Sequence, residues 1–413
     1  MSFRYIPEIA GRVLSQAKLN IGGIMTSQRL IYDLLPKIIT HKLCRYSSTG
    51  PGSPINITLS VTNICQSRCK TCNIWRTYHD DCVEDRKVED EMALGDYERL
   101  FKSLGHVYFV NISGGEPFLR RDLPDIIELA NNLLTPGVIH TPTNAILPSR
   151  IEEMTEDILK RLKASGRHVF FTVKPSFDGI GELHDEIRGI PGNFEKLLDT
   201  ISRLKRLKNK YSNLEIGAGT VISNFNIDHI KEIADYVHSL GLDSYISEIA
   251  EQRSEMFNQS DDITPSAQKY EDAIRLFSDE SRKHLSKAGN LGRRTGAFRL
   301  VYYDLVIRIL KENRQVLPCY AGISNVHISP YGDVWPCCVL GYEKSMGILK
   351  DSNFDFHKIW RSERAREVRQ YIKSGDCWCP LANQAYSNML MNPATLAKVA
   401  AIMSGRMIAS FRK

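Results

Sequence analysis

The chain has 413 residues, 42% hydrophobic and 25% charged, which suits a globular protein with one large domain and a smaller one. No window approaches eighteen uninterrupted apolar residues, and Met1 to Val13 carries Arg4, Glu8 and Arg12, so neither a membrane-spanning helix nor a secretory signal is predicted. The net charge of +6 is uneven: residues 1–50 carry +5, residues 380–413 carry +4 and the middle −3. These basic ends lack the aromatic interleaving of a strand-binding groove, which argues against a nucleic-acid partner. Ten cysteines without a secretion signal fit a reduced, cytoplasmic location, with metal ligands rather than disulfides.

In chain order, residues 1–50 read as a basic amphipathic extension. Leu30-Ile31-Tyr32, Leu34-Leu35, Ile38-Ile39 and Leu43 recur at helical spacing. Such an end can lie on an anionic membrane surface, or its stripe can simply pack on the domain. Ser47 to Ser53 is a Gly/Pro/Ser-rich joint. Six strands then alternate with five helices: strand Ile55 to Val61, helix Met92 to Leu104, strand His106 to Ile112, helix Asp122 to Leu134, strand Gly137 to Thr143 and helix Arg150 to Ala164. Strand His168 to Ser176, helix Asn193 to Asn209, strand Leu214 to Ile222, helix Ile227 to Leu240 and strand Tyr245 to Ile249 complete the series. Regular βαβ alternation implies an α/β fold on a parallel sheet, with right-handed crossovers. The predicted units are the extension 1–50, an α/β domain 51–255, and a helical connector 256–315 broken near Gly289 to Gly296. A cysteine-rich domain 316–380 and a basic amphipathic tail 381–413 follow, the tail striped by Leu396, Val399, Ala400, Met403 and Met407.

The loop after the first strand holds Cys65, Cys69 and Cys72 in a C-x3-C-x2-C run. Three thiolates can hold three irons of a 4Fe-4S cluster and leave the fourth iron open to an outside ligand. Zinc is the competing reading, but zinc knots favour paired C-x2-C hooks with a fourth ligand close by. The next cysteine, Cys82, sits among Asp80, Asp81, Glu84 and Asp85, which would raise its pKa; neither it nor Cys44 is expected to bind metal. The second strand runs into Gly114-Gly115-Glu116-Pro117. Its glycines permit close backbone approach, and its glutamate can accept hydrogen bonds from an ammonium group.

Together the two motifs resemble the radical S-adenosylmethionine (radical SAM) superfamily. The resemblance implies a partial (β/α)6 barrel with its chemistry at the carboxyl ends of the strands. It further implies that Cys65, Cys69 and Cys72 bind the cluster, while Gly114, Gly115, Glu116 and Pro117 hold the amino end of SAM. Pro142-Thr143-Asn144 is similar to a Thr-Asn pair near the cofactor ribose, although a turn asparagine reads the same way. Lys174-Pro175-Ser176-Phe177-Asp178-Gly179 and His184-Asp185-Glu186-Ile187-Arg188-Gly189 resemble a stretch in which Ser176 and Arg188 contact the SAM carboxylate. The plain alternative pairs Asp178 with Arg188 to hold a loop.

Cys319, Gly332 and Cys337 make a C-x12-G-x4-C pattern that resembles the start of SPASM and Twitch domains. With too few cysteines for two clusters, the resemblance implies the shorter Twitch-like form, with one auxiliary 4Fe-4S cluster on Cys319, Cys337, Cys377 and Cys379. The C-x-C spacing at Cys377 and Cys379 leaves Cys338 as an alternative ligand, and zinc as an alternative metal.

The resemblance implies reductive cleavage of SAM, driven by a flavodoxin- or ferredoxin-type donor, to a 5′-deoxyadenosyl radical that takes a hydrogen atom from a substrate. Glu248, Glu251 and Arg253, at the end of the sixth strand, are candidates for a base or an anchor, or are surface residues. Small, lipid-like and peptide substrates all stay open. The missing strand pattern of a leader-binding module and the apolar ends favour a small or amphiphilic one. A non-catalytic electron carrier or zinc scaffold is the rival from another class.

Overall fold

The computed structural model describes residues 33–47, 50–78, 86–285 and 290–404. Cys82, the segment 1–32 with Leu30, Ile31 and Tyr32, and the end of the tail with Met407 lie outside the described residues.

Helix α1 (residues 33–46) precedes strand β1 (Asn56–Ser60). Then follow α2 (Leu94–Leu104), β2 (Phe109–Ser113), α3 (Leu123–Leu134), β3 (Val138–Thr143), α4 (Pro148–Ala164) and β4 (Phe170–Pro175). Next come α5 (Glu182–Arg188), α6 (Asn193–Lys208), β5 (Leu214–Ile222), α7 (Ile230–Ser239) and β6 (Ser244–Ile249). Strands β1 to β6 pair in chain order, all parallel. This is the parallel six-stranded sheet of the partial (β/α)6 barrel that the resemblance implied. Ile57, Leu59, Val110, Ile112, Ile139, Phe171 and Val173 point outward into one core with Tyr97, Leu100, Phe101, Ile126, Ile158 and Leu162 of the helices. The alternate residues, among them Asn56, Asn111, His140 and Lys174, face the lumen, so the barrel interior is polar.

The sequence reading missed α5. It has seven residues, too few for a periodic stripe, and it lies between positive-φ glycines, Gly181 (φ 57°) and Gly189 (φ 67°). Helix α8 spans Ala267–Leu285, and α9 (Asn290–Glu312) begins earlier than expected and runs through Gly292 and Gly296; Gly289 lies outside the described residues. The α8–α9 pair packs along the flank beside β6: Ser247 Oγ donates to Tyr303 Oη at 3.0 Å, and Arg299 bonds the Tyr245 carbonyl.

Strands β7 (Asn325–Ile328), β8 (Asp333–Trp335) and β9 (Gly347–Ile348) continue the same sheet beyond β1. β7 lies parallel to β1, with Asn56 opposite Asn325 and Leu59 opposite Ile328; β8 and β9 are antiparallel additions. Helices α10 (Phe356–Trp360), α11 (Glu363–Ser374), α12 (Ala382–Leu390) and α13 (Pro393–Met403) follow. α13 returns onto α9, where Arg293 donates to the Met403 carbonyl at 2.9 Å. On α1, Lys37 Nζ donates to the carbonyls of Pro54 (3.1 Å) and His106 (2.6 Å), and Arg45 donates to that of Cys319 (2.6 Å). Leu34 is buried, whereas Leu35, Ile39 and Leu43 are exposed on one stripe. No helix among the described residues is long and apolar enough to cross a membrane.

Candidate iron–sulfur and SAM site

The cysteine loop leaves β1 and is tied down on three sides. Gly115 N and Glu116 N donate to the carbonyls of Thr62 (2.7 Å) and Ile64 (2.9 Å). Arg68 N and Lys70 N donate to the carbonyls of Arg188 (3.0 Å) and Ile187 (2.9 Å) at the end of α5. Asn73 N donates to the Met256 carbonyl (2.9 Å), and Asn258 Nδ2 to that of Thr71 (2.8 Å). The glycines explain the tight fit. A Cβ on Gly114 would stand 2.2 Å from Thr62 O, and one on Gly115 would stand 2.3 Å from Ile64 O. Their smallness therefore serves an approach of the turn to the cysteine loop, in addition to any approach to a ligand.

Burial raises the pKa of all three thiols, Cys65 to about 11, and neighbouring thiols push Cys65 and Cys72 further the same way. Arg188 opposes the rise at Cys65 and Cys69. Such thiols are poor nucleophiles, but binding iron would displace their protons, and the mutual proximity is what a shared cluster needs. Buried polar groups here, among them the Gln66 amide and Arg188 Nε, have no hydrogen-bond partner among the described residues. These features fit a bound cluster with a polar ligand.

Glu116 is fully enclosed. Its Oε1 accepts from Phe118 N (3.1 Å) and Thr143 Oγ1 (3.0 Å), and its Oε2 from Asn144 N (2.6 Å). Burial pushes its carboxyl up to about 7 against those donors and Arg188. Asn144 reaches to 3.9 Å from Cys65 Sγ. Ser176, just past β4, bridges to Gly219, and its N donates to the Thr143 carbonyl at 2.9 Å. β4 thus ends at Pro175, one residue short of the expected Ser176. Arg188 NH1 donates to Asp178 Oδ2 at 3.1 Å, while its charge also acts on Cys65 and Cys69. Arg188 thus holds the loop through Asp178 and bears on the cysteines at the same time. A zwitterion placed here would meet a carboxylate at Glu116 and a guanidinium at Arg188.

Glu248, Glu251 and Arg253 separate. Glu248 faces Lys174 in the lumen, Oε1 to Nζ 3.8 Å. Gly217 and Gly219 of β5 leave the room in which the Lys174 stem lies: a Cβ on Gly219 would stand 3.0 Å from Lys174 Cε. Half-buried Arg253 pairs with buried Glu251 (2.9 Å). Burial raises the Glu251 carboxyl, and Glu251 in turn bears on Cys377 and Cys379.

Cys319, Cys337, Cys377 and Cys379 line one cavity, with Gln315, Gln384 and Asn388. Cys338 is not among them. It opens with Cys72, Gly114 and His327 onto a neighbouring cavity of about 90 Å³ that lies between the two cysteine groups. Sequence reasoning missed His327, Glu255 and His140. The one available signal was a polar residue at an alternate strand position, which marks a lumen face without naming a role.

A thiol loop at the carboxyl end of β1, with a second thiol cluster on the extended sheet, defines an iron–sulfur enzyme. The radical SAM superfamily profile matches residues 59–237, and the SPASM profile, an iron-sulfur cluster-binding domain, matches 319–380. The chain belongs to the radical SAM superfamily and carries a C-terminal SPASM domain. It is a radical SAM enzyme whose cofactors are a 4Fe-4S cluster, SAM and an auxiliary iron–sulfur cluster; the carrier and zinc-scaffold alternatives fall away. The AdoMet-dependent heme synthase of Oleidesulfovibrio alaskensis is 26% identical over 77% of this chain and 78% of its own. Mycofactocin maturase MftC of Mycolicibacterium smegmatis is 24% identical over 81% of this chain and 78% of its own. Among solved structures, Streptococcus suis SuiB bound to precursor peptide SuiA matches with TM-score 0.54 at 16% identity, over 82% of this chain and 72% of that one.

Proposed function

We propose that the bound cluster and SAM supply a 5′-deoxyadenosyl radical that takes a hydrogen atom from a small or amphiphilic substrate in the polar lumen. Cys65, Cys69 and Cys72 hold the cluster in this reading. Glu116 and Arg188 orient the amino and carboxylate ends of SAM, with Asn144 and Ser176 beside them. Lys174 and Glu248 anchor polar substrate groups, and the Glu251–Arg253 pair supports the wall next to the auxiliary cysteines. The observation that carries the reading is the convergence of these groups at the carboxyl ends of β1 to β6, with Lys174 and Glu248 meeting over the β5 glycines on the lumen face. A low-potential flavodoxin- or ferredoxin-type protein serves as electron donor.

Anaerobic reconstitution followed by dithionite and SAM should give 5′-deoxyadenosine, and Cys69→Ala should give none. Deuterium passing from a labelled candidate substrate into 5′-deoxyadenosine then identifies the class. Absence of 5′-deoxyadenosine from iron-replete protein would sink the reading. Peptide modification is the second reading, favoured by the maturase and precursor-peptide relatives; deuterium transfer from peptides alone would establish it. The exposed stripe Leu35, Ile39 and Leu43 supports peripheral contact with anionic lipid. Flotation with phosphatidylserine vesicles should be lost on changing all three to Ser, and equal flotation of both proteins removes the membrane idea.

A further inference from the structure

The 90 Å³ cavity between the two cysteine groups, which Cys72 and Cys337 also line, contains a constellation outside the seven cysteines read as cluster ligands. Glu255 comes from the turn after β6, His327 from the middle of β7 and Cys338 from the turn after β8. All three are buried, and one ligand atom of each lies within 4.8 Å of the others. His327 Nε2 is 3.2 Å from Glu255 Oε1. Two N/O ligands at about 2.0–2.1 Å from a tetrahedral zinc lie about 3.3 Å apart, so this spacing already matches one edge of such a site. The backbone origin matters too. Val326 and Ile328 pack in the core, and strand alternation turns His327 to the opposite face, against the Trp335 ring at 5.2 Å. Ser60 Oγ stands 3.0 Å from Glu255 Oε1 and 2.8 Å from His327 Nε2, the two atoms a metal would take, so a bound cation would replace the Ser60 hydroxyl at His327 Nε2 and leave it on the carboxylate.

We propose that Glu255, His327 and Cys338 form a third, mononuclear metal site for a borderline divalent cation, zinc above all. One thiolate, one imidazole and one carboxylate are a donor set that zinc accepts, and they leave a fourth position open to the cavity. Cys72 and Gly114 line the same cavity, as does Arg253. The open position therefore takes an anionic oxygen or sulfur donor of a substrate, with Arg253 beside it to balance charge. Such a site would fix the substrate between the two clusters by coordination rather than by packing.

The test does not depend on radical chemistry. Holoprotein reconstituted with iron and sulfide is given one equivalent of zinc, washed with EDTA, and measured by metal analysis and zinc K-edge absorption. The expected result is one retained zinc per chain, in a shell of one sulfur and otherwise nitrogen or oxygen. His327→Gln and Cys338→Ala should each reduce retained zinc at least tenfold while iron content stays unchanged. No retained zinc, a shell of four sulfurs, or iron-replete variants that keep their zinc would overturn the proposal. If the variants also lose iron, the shell of the unaltered protein decides.

Discussion

Gly115→Ala tests whether the Gly-Gly-Glu-Pro turn acts through the cysteine loop. The new methyl would stand 2.3 Å from Ile64 O and 2.7 Å from Ile64 C, both backbone atoms that cannot rotate away. Restoring ordinary contact requires a shift of about 1 Å. That shift would strain the 2.9 Å bond from Glu116 N to Ile64 O and carry along Cys65, the next residue. Overpacking of this kind costs about 1–3 kcal/mol. A displacement of about 1 Å at a reacting group can cost on the order of 10² in rate. The expected outcome is loss of roughly four irons per chain and a fall of about 10² in 5′-deoxyadenosine formation, measured by iron assay and chromatography. Gly95→Ala in α2 is the control: no atom lies within 4 Å of its Cβ, so it should be neutral or stabilise by about 0.5–1 kcal/mol. Gly115→Ala protein with full iron and a rate within twofold would refute the reasoning.

Cys379→Ser should remove the auxiliary cluster, leave about four irons per chain, and keep 5′-deoxyadenosine formation within roughly threefold, because its cavity lies apart from Cys65 and Cys69; iron counting and turnover without substrate check this. Lys174→Met should leave that uncoupled cleavage unchanged while raising the KM of an identified substrate at least tenfold, so an unchanged KM would remove Lys174 from the lumen anchor. His184 is fully buried, and its Nδ1 accepts from Asp178 N at 3.2 Å. Burial, helped by Arg188, lowers its pKa to about 4. The unfolded chain therefore binds the proton more readily between pH 6.5 and 4, and stability is lost as pH falls through that window, by ~3 kcal/mol at the low end. Thermal melts from pH 7 to 5 should fall more steeply for the wild type than for His184→Asn.

The six barrel strands were legible because each alternates around apolar residues such as Ile57 and Leu59 and is separated by helical periodicity. The thiol loop and the Gly-Gly-Glu-Pro turn were legible as local motifs. β7 to β9 were not: with four, three and two residues, they are too short for a pattern, and β7 is fixed by pairing with a strand far away in the chain. The Glu255–His327–Cys338 grouping was invisible for the same reason, since its members are separated in sequence and share no spacing rule. Helix α9 passed through Gly292 and Gly296 because its buried aromatic residues, Tyr302 and Tyr303, outweigh the local penalty of glycine.

The pairing of β7 with β1 has a consequence for biosynthesis. β1 leaves the ribosome about 265 residues before its partner does. At 5–20 residues per second, that edge waits roughly 13–50 s with its amide and carbonyl groups unsatisfied. The nascent chain is thus exposed to strand capture by other chains during that interval, and a chaperone or slow elongation would matter most before residue 328 emerges.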